Sequence, residues 1–379
     1  MHMTSFERMS ATVRHQPMDR VPCDFSAEPG TLTRLYDYFG IRALPELLRI
    51  LGIDRWTVRP RYIGPPLRSF PDGSYEAIVS GGPIMLDVPA PVGGVNPTTI
   101  RYPWADVCTA ADLEGRYGWN GHIDWWDFST IPAQLDALES EGSFWISAHG
   151  DPSGLQHLMM WVGDERFLLL LAEDPDLAVA MIEQHNCYRL EHALQTLAAG
   201  GGRIHELHGG GDYSSQIGLL ISPRMFRRYF KDLYLRFYRE IKANFDVEIF
   251  FHSCGAVAEL IPDLIEVGVT ILDPIQVGAR GMEIESLAAR FGDRLTFHGG
   301  VDIQELLPHG TEADVRREVR RLTALFAGRG GYILAPSHSL QMDTPIGNIL
   351  AMYEEAQGRS IRLPGKALPL IKERGTRDQ

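Results

Sequence analysis

From Gly142 onward the chain alternates short apolar segments rich in β-formers with long helical patterns, and this alternation constrains the fold more than any other feature. The candidate strands are Phe144 to Ser147, Ile204 to Leu207, Val247 to Phe251, Val269 to Leu272, Leu295 to Phe297 and Tyr332 to Leu334. Several are almost continuously apolar, as strands buried on both faces of a parallel sheet are. The helices between them announce their starts. Asp174-Pro175, Ser222-Pro223, Thr311-x-x-Asp314 and Thr344-Pro345 each place a capping side chain or a proline ahead of an apolar periodic run. After Ser222, for instance, Phe226, Phe230, Leu233, Phe237 and Ile241 share one helical face. Strand then helix, repeated, builds a parallel sheet with right-handed crossovers. Neither a GxGxxG turn nor a GxxxxGK[ST] loop is present, which argues against a nucleotide-binding sheet. The expected fold is α/β: a (β/α)8 TIM-type barrel whose main body spans residues 141–379, preceded by an irregular extension over 1–140.

The extension carries a helical pattern near 43–51, then Pro/Gly clusters at 63–66, 71–73 and 89–97 that predict hairpins and loops over the barrel mouth. At 44% hydrophobic and 22% charged the composition is that of an ordinary globular chain. A net charge of −13 leaves no basic stripe for nucleic acid. The longest strongly apolar run, Phe167 to Ala172, falls far short of the roughly 18 residues a membrane span needs. Four scattered cysteines with no CxxC do not make a disulfide framework, so a reducing cytoplasm is expected. Cys187, inside a helical pattern, reads as a small buried hydrophobe.

In barrels of this kind the active site gathers at the C-terminal ends of the strands. Five consecutive candidate strands end in small or polar residues there: His208 with Asp212, His252-Ser253-Cys254-Gly255, Asp273 to Gln276, His298 to Asp302, and Ala335 to His338. His252-x-Cys254 is the sharpest of these, because an imidazole and a thiolate two residues apart at a strand mouth can reach one ion, and mixed nitrogen and sulfur suit Zn²⁺. His338, 84 residues beyond Cys254 and also just past a strand, can supply a third ligand. The competing reading is a loop histidine bonded to backbone beside an inert thiol. Asp212 is a fourth ligand, a general base or a turn cap. Gln276 and Asp302 position a substrate or cap the next helix. His298 ends a strand and can simply fill the barrel mouth. His149, His157 and His208 lie in loops with no partner at ligand spacing, and His185 and His192 read as packing or surface residues. For Trp125-Trp126 and Trp161, core packing is favoured over a pocket wall.

These same residues carry a resemblance. Residues 204–355 resemble the uroporphyrinogen decarboxylase superfamily, and more closely its corrinoid-linked methyltransferase branch, through Gly211 to Gln216 with Gly218 to Pro223, His252 to Gly255, Asp273 to Gln276, Gly299 to Asp302, Leu334 to His338 and Asp343 to Pro345. The resemblance implies a (β/α)8 barrel with an N-terminal extension and, for the methyltransferase branch, a zinc held by the His-x-Cys pair and a later residue. Two departures stand out. The decarboxylases resembled have an Arg-Gln-Ala-Gly-Arg-Tyr stretch near the N-terminus that holds porphyrinogen carboxylates, whereas Cys23 to Thr31 contains no arginine. Thiol-methylating members use a second cysteine as third ligand, whereas this chain reads Ser337-His338 and has no cysteine after Cys254. His338 therefore either ligates or matches the histidine that decarboxylases set against substrate.

The expected activity is a zinc-dependent methyltransferase that moves a methyl group between a small substrate (methyl ether, amine or thiol) and a corrinoid. His252, Cys254 and His338 hold the zinc, Asp212 is base or further ligand, and Gln276 and Asp302 position the substrate. No Asp-x-His-x-x-Gly segment of the kind found in corrinoid-binding domains is present, so the corrinoid is expected on a separate protein. A homodimer is consistent with the resemblance; no nucleic-acid or membrane partner is expected. The alternatives are a metal-independent decarboxylase of a porphyrinogen-like polycarboxylate, using cations such as Arg20, Arg203 or Arg280, and a non-catalytic scaffold.

Overall fold

Seven strands pair in parallel into one curled sheet in the order β1 (Arg55–Val58), β2 (Trp145–His149), β3 (Glu206–Gly210), β4 (Glu248–His252), β5 (Ile271–Ile275), β6 (Thr296–Val301) and β7 (Tyr332–Pro336). The structure, a computed structural model, describes residues 2–71, 73–79, 82–86, 99–114, 123–363 and 368. With helices between successive strands the architecture is α/β and barrel-like.

The eight-stranded expectation is met by seven strands and one short bridge. Between β7 and β1 runs the extended segment 22–24. Leu334 N–H donates to Pro22 O at 2.9 Å, Asp24 N–H to Leu334 O at 2.9 Å, and Asp54 N–H to Cys23 O at 3.0 Å. Cys23 and Leu334 form an isolated parallel bridge. Pro22 has no N–H to extend this ladder, which keeps the segment short.

All six expected strands are present, each starting at most two residues later and running on into the polar residues at its end. The first strand of the sheet, β1, lies within 1–140, so the barrel does not begin at residue 141. It is four residues long, with Trp56 and Val58 buried toward the helices and Arg55 and Thr57 on the other face. A strand this short, half charged, leaves little periodic signal.

Period-two alternation sorts each strand between two cores. Outward residues such as Ile146, Leu207, Ile249, Phe251, Leu272, Phe297 and Leu334 join the large core shared with the helices. Inward, Trp145, Phe250, Ile271 and Ile333 form a separate cluster with Met9 and Phe6 of α1 (Ser5–Val13), which plugs the barrel floor. Three of the four capping signals hold, while Thr344-Pro345 precedes its helix without a side-chain cap, Pro345 taking the N-cap position. Asp174 caps α2 (Pro175–Gly200) by accepting from Leu177 N–H, and Thr311 makes a capping box with Asp314. The periodic run after Ser222 is two helices, Pro223–Tyr229 and Lys231–Asn244, broken at Phe230. Cys187 corrects the sequence expectation, because it sits on the exposed side of α2.

The extension builds a three-stranded antiparallel sheet (Tyr75–Val79, Gly82–Leu86 and Thr99–Arg101) and pairs Arg61–Tyr62 with Trp126–Asp127. The Pro/Gly cluster at 89–97 lies outside the described residues. Among the described residues no helix is long and apolar enough to cross a membrane.

Candidate functional site

Alternation along β4 puts Phe250 and His252 on the inward face, one above the other, so that His252 emerges at the barrel mouth. The chain then turns through Ser253, Cys254 and Gly255. Three contacts fix this turn: Ser253 N–H donates to Asp273 O at 2.7 Å, Cys254 N–H to Asp212 Oδ1 at 2.8 Å, and Gly255 N–H to Gln276 Oε1 at 2.7 Å. Cys254 Sγ thereby comes 3.4 Å from His252 Nε2. His338 arrives from the loop after β7, and donor atoms of His252, Cys254 and His338 all lie within 4.8 Å of one another. These three residues, separated by up to 86 positions in the chain, are the described group that could hold a metal ion.

Behind them lies a buried polar chain that sequence reasoning missed. His252 Nδ1–H donates to Asp273 Oδ2 at 2.5 Å, and the other oxygen of Asp273 accepts from His298 Nδ1 at 2.5 Å. His298 Nε2 lies 3.0 Å from Asp24 Oδ2, which also pairs with Arg55 at 3.1 Å. Arg55 in turn pairs with Glu206, whose second oxygen accepts from Trp145 Nε1–H at 2.9 Å. The chain of contacts spans β4, β5, β6, segment 22–24, β1, β3 and β2, so nearly every stave contributes to the support of one imidazole.

Burial would lower the pKa of His252, but the hydrogen bond and charge of Asp273, with Cys254, raise it well above the ordinary value. Burial likewise opposes protonation of His298, yet Asp273 and Asp24 lift it to about 9. Asp273 and Asp24 are held below the usual carboxylate range against burial, Asp273 chiefly by His298 and then His252, Asp24 chiefly by Arg55 and then His298. His338 is lowered by burial and by the charge of His252, which leaves its lone pair free. Burial raises the Cys254 thiol, opposed by His252.

The remaining sequence candidates are each placed. Asp212 accepts from Cys254 N–H and from Gln156 Nε2 at 3.1 Å, and Oδ1 stands 3.7 Å from His252 Nε2. Gln276 Oε1 also accepts from Gln216 Nε2 at 2.8 Å, so it ties the β3 and β5 loops to Gly255. Asp302 stands apart from the donors, and its carboxylate accepts from Gln304, Glu305 and Leu306 N–H, a helix-start arrangement. A cavity of about 390 Å³ opens onto His252, Asp273, His298 and His338. His149 and His208, read from sequence as unpartnered loop residues, are strand residues, the one at the end of β2 and the other midway along β3, and line it too. His185 is buried against Ser153.

Residues 149–359, more than half of the 379-residue chain, match the uroporphyrinogen decarboxylase (URO-D) family. The chain belongs to that family. The matched span contains every metal-donor candidate and five of the seven staves, β3 to β7, so the URO-D family assignment rests on the same part of the chain as the site. Among solved structures it is similar to a methyltransferase from Methanosarcina mazei, at 17% identity over 94% of this chain and 99% of that one, with a TM-score of 0.68. This URO-D family chain therefore shares that protein's fold across nearly its whole length. A 3-keto-D-glucoside 4-epimerase from E. coli aligns at 14% identity over 60% of this chain and 83% of that one, with a TM-score of 0.39. No curated protein matches the sequence.

Proposed function

We propose that this protein is a zinc-dependent methyltransferase that moves a methyl group between a small substrate's heteroatom and a corrinoid carried by a separate protein. The observation that carries the reading is the donor set of His252, Cys254 and His338 at the mouth of a URO-D family barrel. Two imidazoles and one thiol within 4.8 Å suit zinc, and three protein ligands leave a coordination position for a substrate atom. The bond from His252 Nδ1–H to Asp273 leaves Nε2 turned toward Cys254, the carboxylate–histidine pairing that supports metal-ligating imidazoles. When bound, zinc supplies Lewis acidity at the substrate heteroatom, lowering its pKa or easing its departure from methyl carbon. The protein's own residues hold the rest. Asp212 fixes Cys254 through its backbone N–H and stands where a substrate proton can be taken or returned, while Gln276 clamps the loop that carries the thiol. The reaction class also agrees with the name of the Methanosarcina neighbour.

The decarboxylase alternative needs free cations at the mouth. Arg20 is engaged with Asp54, and Arg203 with Asp136 and Glu139, whereas Arg280 is exposed, its backbone N–H donating to Gln216 O at 3.0 Å, and is the cation left to this alternative. Arg55, which does reach the cavity, is paired with Asp24 and Glu206.

The test is metal content by elemental mass spectrometry, wild type beside Cys254→Ala, followed by methyl transfer to an added corrinoid protein. About one zinc per chain in the wild type, lost in the variant together with transfer, is expected. No zinc in either protein would overturn the reading and favour metal-free decarboxylation.

A further inference from the structure

A second, larger cavity of about 820 Å³ opens beside the donor site, and the chemistry above does not use it. Its apolar walls include Tyr62, Leu67, Ile78, Trp126 and Tyr188, brought from the extension and from α2, while Arg59, Arg61, Glu76, Asp151 and Arg189 also line it. Trp126 is fixed in place. Its Nε1–H donates to Tyr188 Oη at 2.7 Å, its ring meets Tyr62 edge-on at 5.5 Å, and it stands T-shaped against His192 at 5.0 Å.

His149 and His208 line both this cavity and the smaller one that holds His252 and His338, so the two spaces meet at that histidine pair. The two residues are register partners on β2 and β3, with ring centroids 5.3 Å apart at 82°. Desolvation at the cavity wall lowers His208 well below the ordinary imidazole value and lowers the more exposed His149 against the pull of Asp151, so each ring can offer one N–H and one lone pair.

A space of this size is that of a pocket for a ligand of many heavy atoms (roughly 300–1,000 Å³), not of methanol or methylamine. Its aromatic walls favour a flat apolar body, and the side chains it shares with the donor cavity are the imidazoles of His149 and His208, which recognise oxygen or nitrogen.

We propose that the methylated substrate is an aromatic compound that seats its ring against Trp126 and Tyr62 and is hydrogen-bonded through an oxygen substituent by His149 and His208. Its methylated heteroatom then reaches toward His252, Cys254 and His338. The substrate class rests on the methyl-transfer reading, but the aromatic site itself does not.

Isothermal titration calorimetry with 4-methoxyphenol, anisole and methanol tests it without any turnover. The wild type is expected to bind 4-methoxyphenol saturably, anisole more weakly and methanol not at all. Trp126→Leu is expected to weaken 4-methoxyphenol about tenfold through lost ring contact. His208→Leu is expected to weaken 4-methoxyphenol about fivefold while leaving anisole unchanged, because anisole has no hydroxyl to lose. Circular dichroism and zinc content of each variant show that fold and donor site persist. Absence of aromatic binding to wild type, or equal binding by wild type and both variants, would overturn the proposal whatever the zinc content. Aromatic binding to a zinc-free wild type would keep the site and overturn the metal reading instead.

Discussion

One carboxylate, Asp273, holds two imidazoles at 2.5 Å, and its two oxygens therefore orient a metal-donor candidate and a structural histidine at once. Asp273→Asn replaces the oxygen pair by one oxygen and one amide, so one imidazole must lose its acceptor. Zinc affinity is expected to fall about 10- to 100-fold, measured by competition with a chromophoric chelator. An affinity equal to wild type would show that His252 needs no such orientation. Farther along the chain of contacts, Arg55→Met leaves Asp24 and Glu206 buried without their cation, side chains that are 10% and 0% exposed. A loss of about 3–5 kcal/mol is expected in denaturant unfolding. His298 adds a pH dependence of known sign. Its folded pKa, about 9, lies above the unfolded value, so its stabilisation is complete below roughly pH 6.5 and is lost as pH rises through 9. The metal-free protein is expected to lose up to about 3 kcal/mol across that interval, and His298→Gln to flatten the slope. None of these partnerships was legible in the sequence. Asp24 and His298 meet across 274 positions, and a lone aspartate at a strand end carries no sign of which histidine it faces.

At the scale of elements, the decisive object is the turn after β4. Gly255 has a φ of +82°, and a Cβ there would meet Ser215 O at 2.4 Å, inside the short hairpin that follows β3. Gly255→Ala must therefore push apart the loops of β3 and β4 while also straining its own backbone. The expected outcome is a folded protein, by circular dichroism, whose zinc affinity falls at least tenfold because Cys254 is displaced, a sensitivity of metal sites to their support. Unchanged affinity would mean that the thiol's position is set elsewhere. The convergence of His252, Cys254 and His338 was legible from sequence because each ends or follows an apolar strand, and strand ends in a barrel converge whatever their separation. The strand β1 was not, since its inward face carries Arg55 and Thr57 and its pattern is too short to stand above the irregular extension. Cys187 misled for the opposite reason. A cysteine amid apolar helical residues looks buried, but in a 26-residue helix with residues facing in every direction one surface is always left to solvent.

Across the whole molecule, the donors are held by structure that does not depend on an ion. The floor is closed by Phe6 and Met9, the gap between β7 and β1 is bridged by segment 22–24, and His252 is fixed through Asp273 to staves on the opposite side of the barrel. Small metal-organised domains are unfolded without their metal because the ion supplies the core they lack. Here the core is supplied by strands and helices, so metal removal is expected to act as ligand removal and nothing more. Stripping with a chelator should leave the circular dichroism spectrum intact and lower the melting temperature by an amount that follows free zinc. The size of that change is set by binding to the folded state alone, about 4 kcal/mol at a thousandfold excess over Kd. Re-addition of zinc should restore both the melting temperature and methyl transfer, since no refolding is required. Collapse of the spectrum on chelation would instead mean that the ion is an organiser of the barrel mouth, and that the contacts from His252 through Arg55 to Glu206 do not suffice to hold it open.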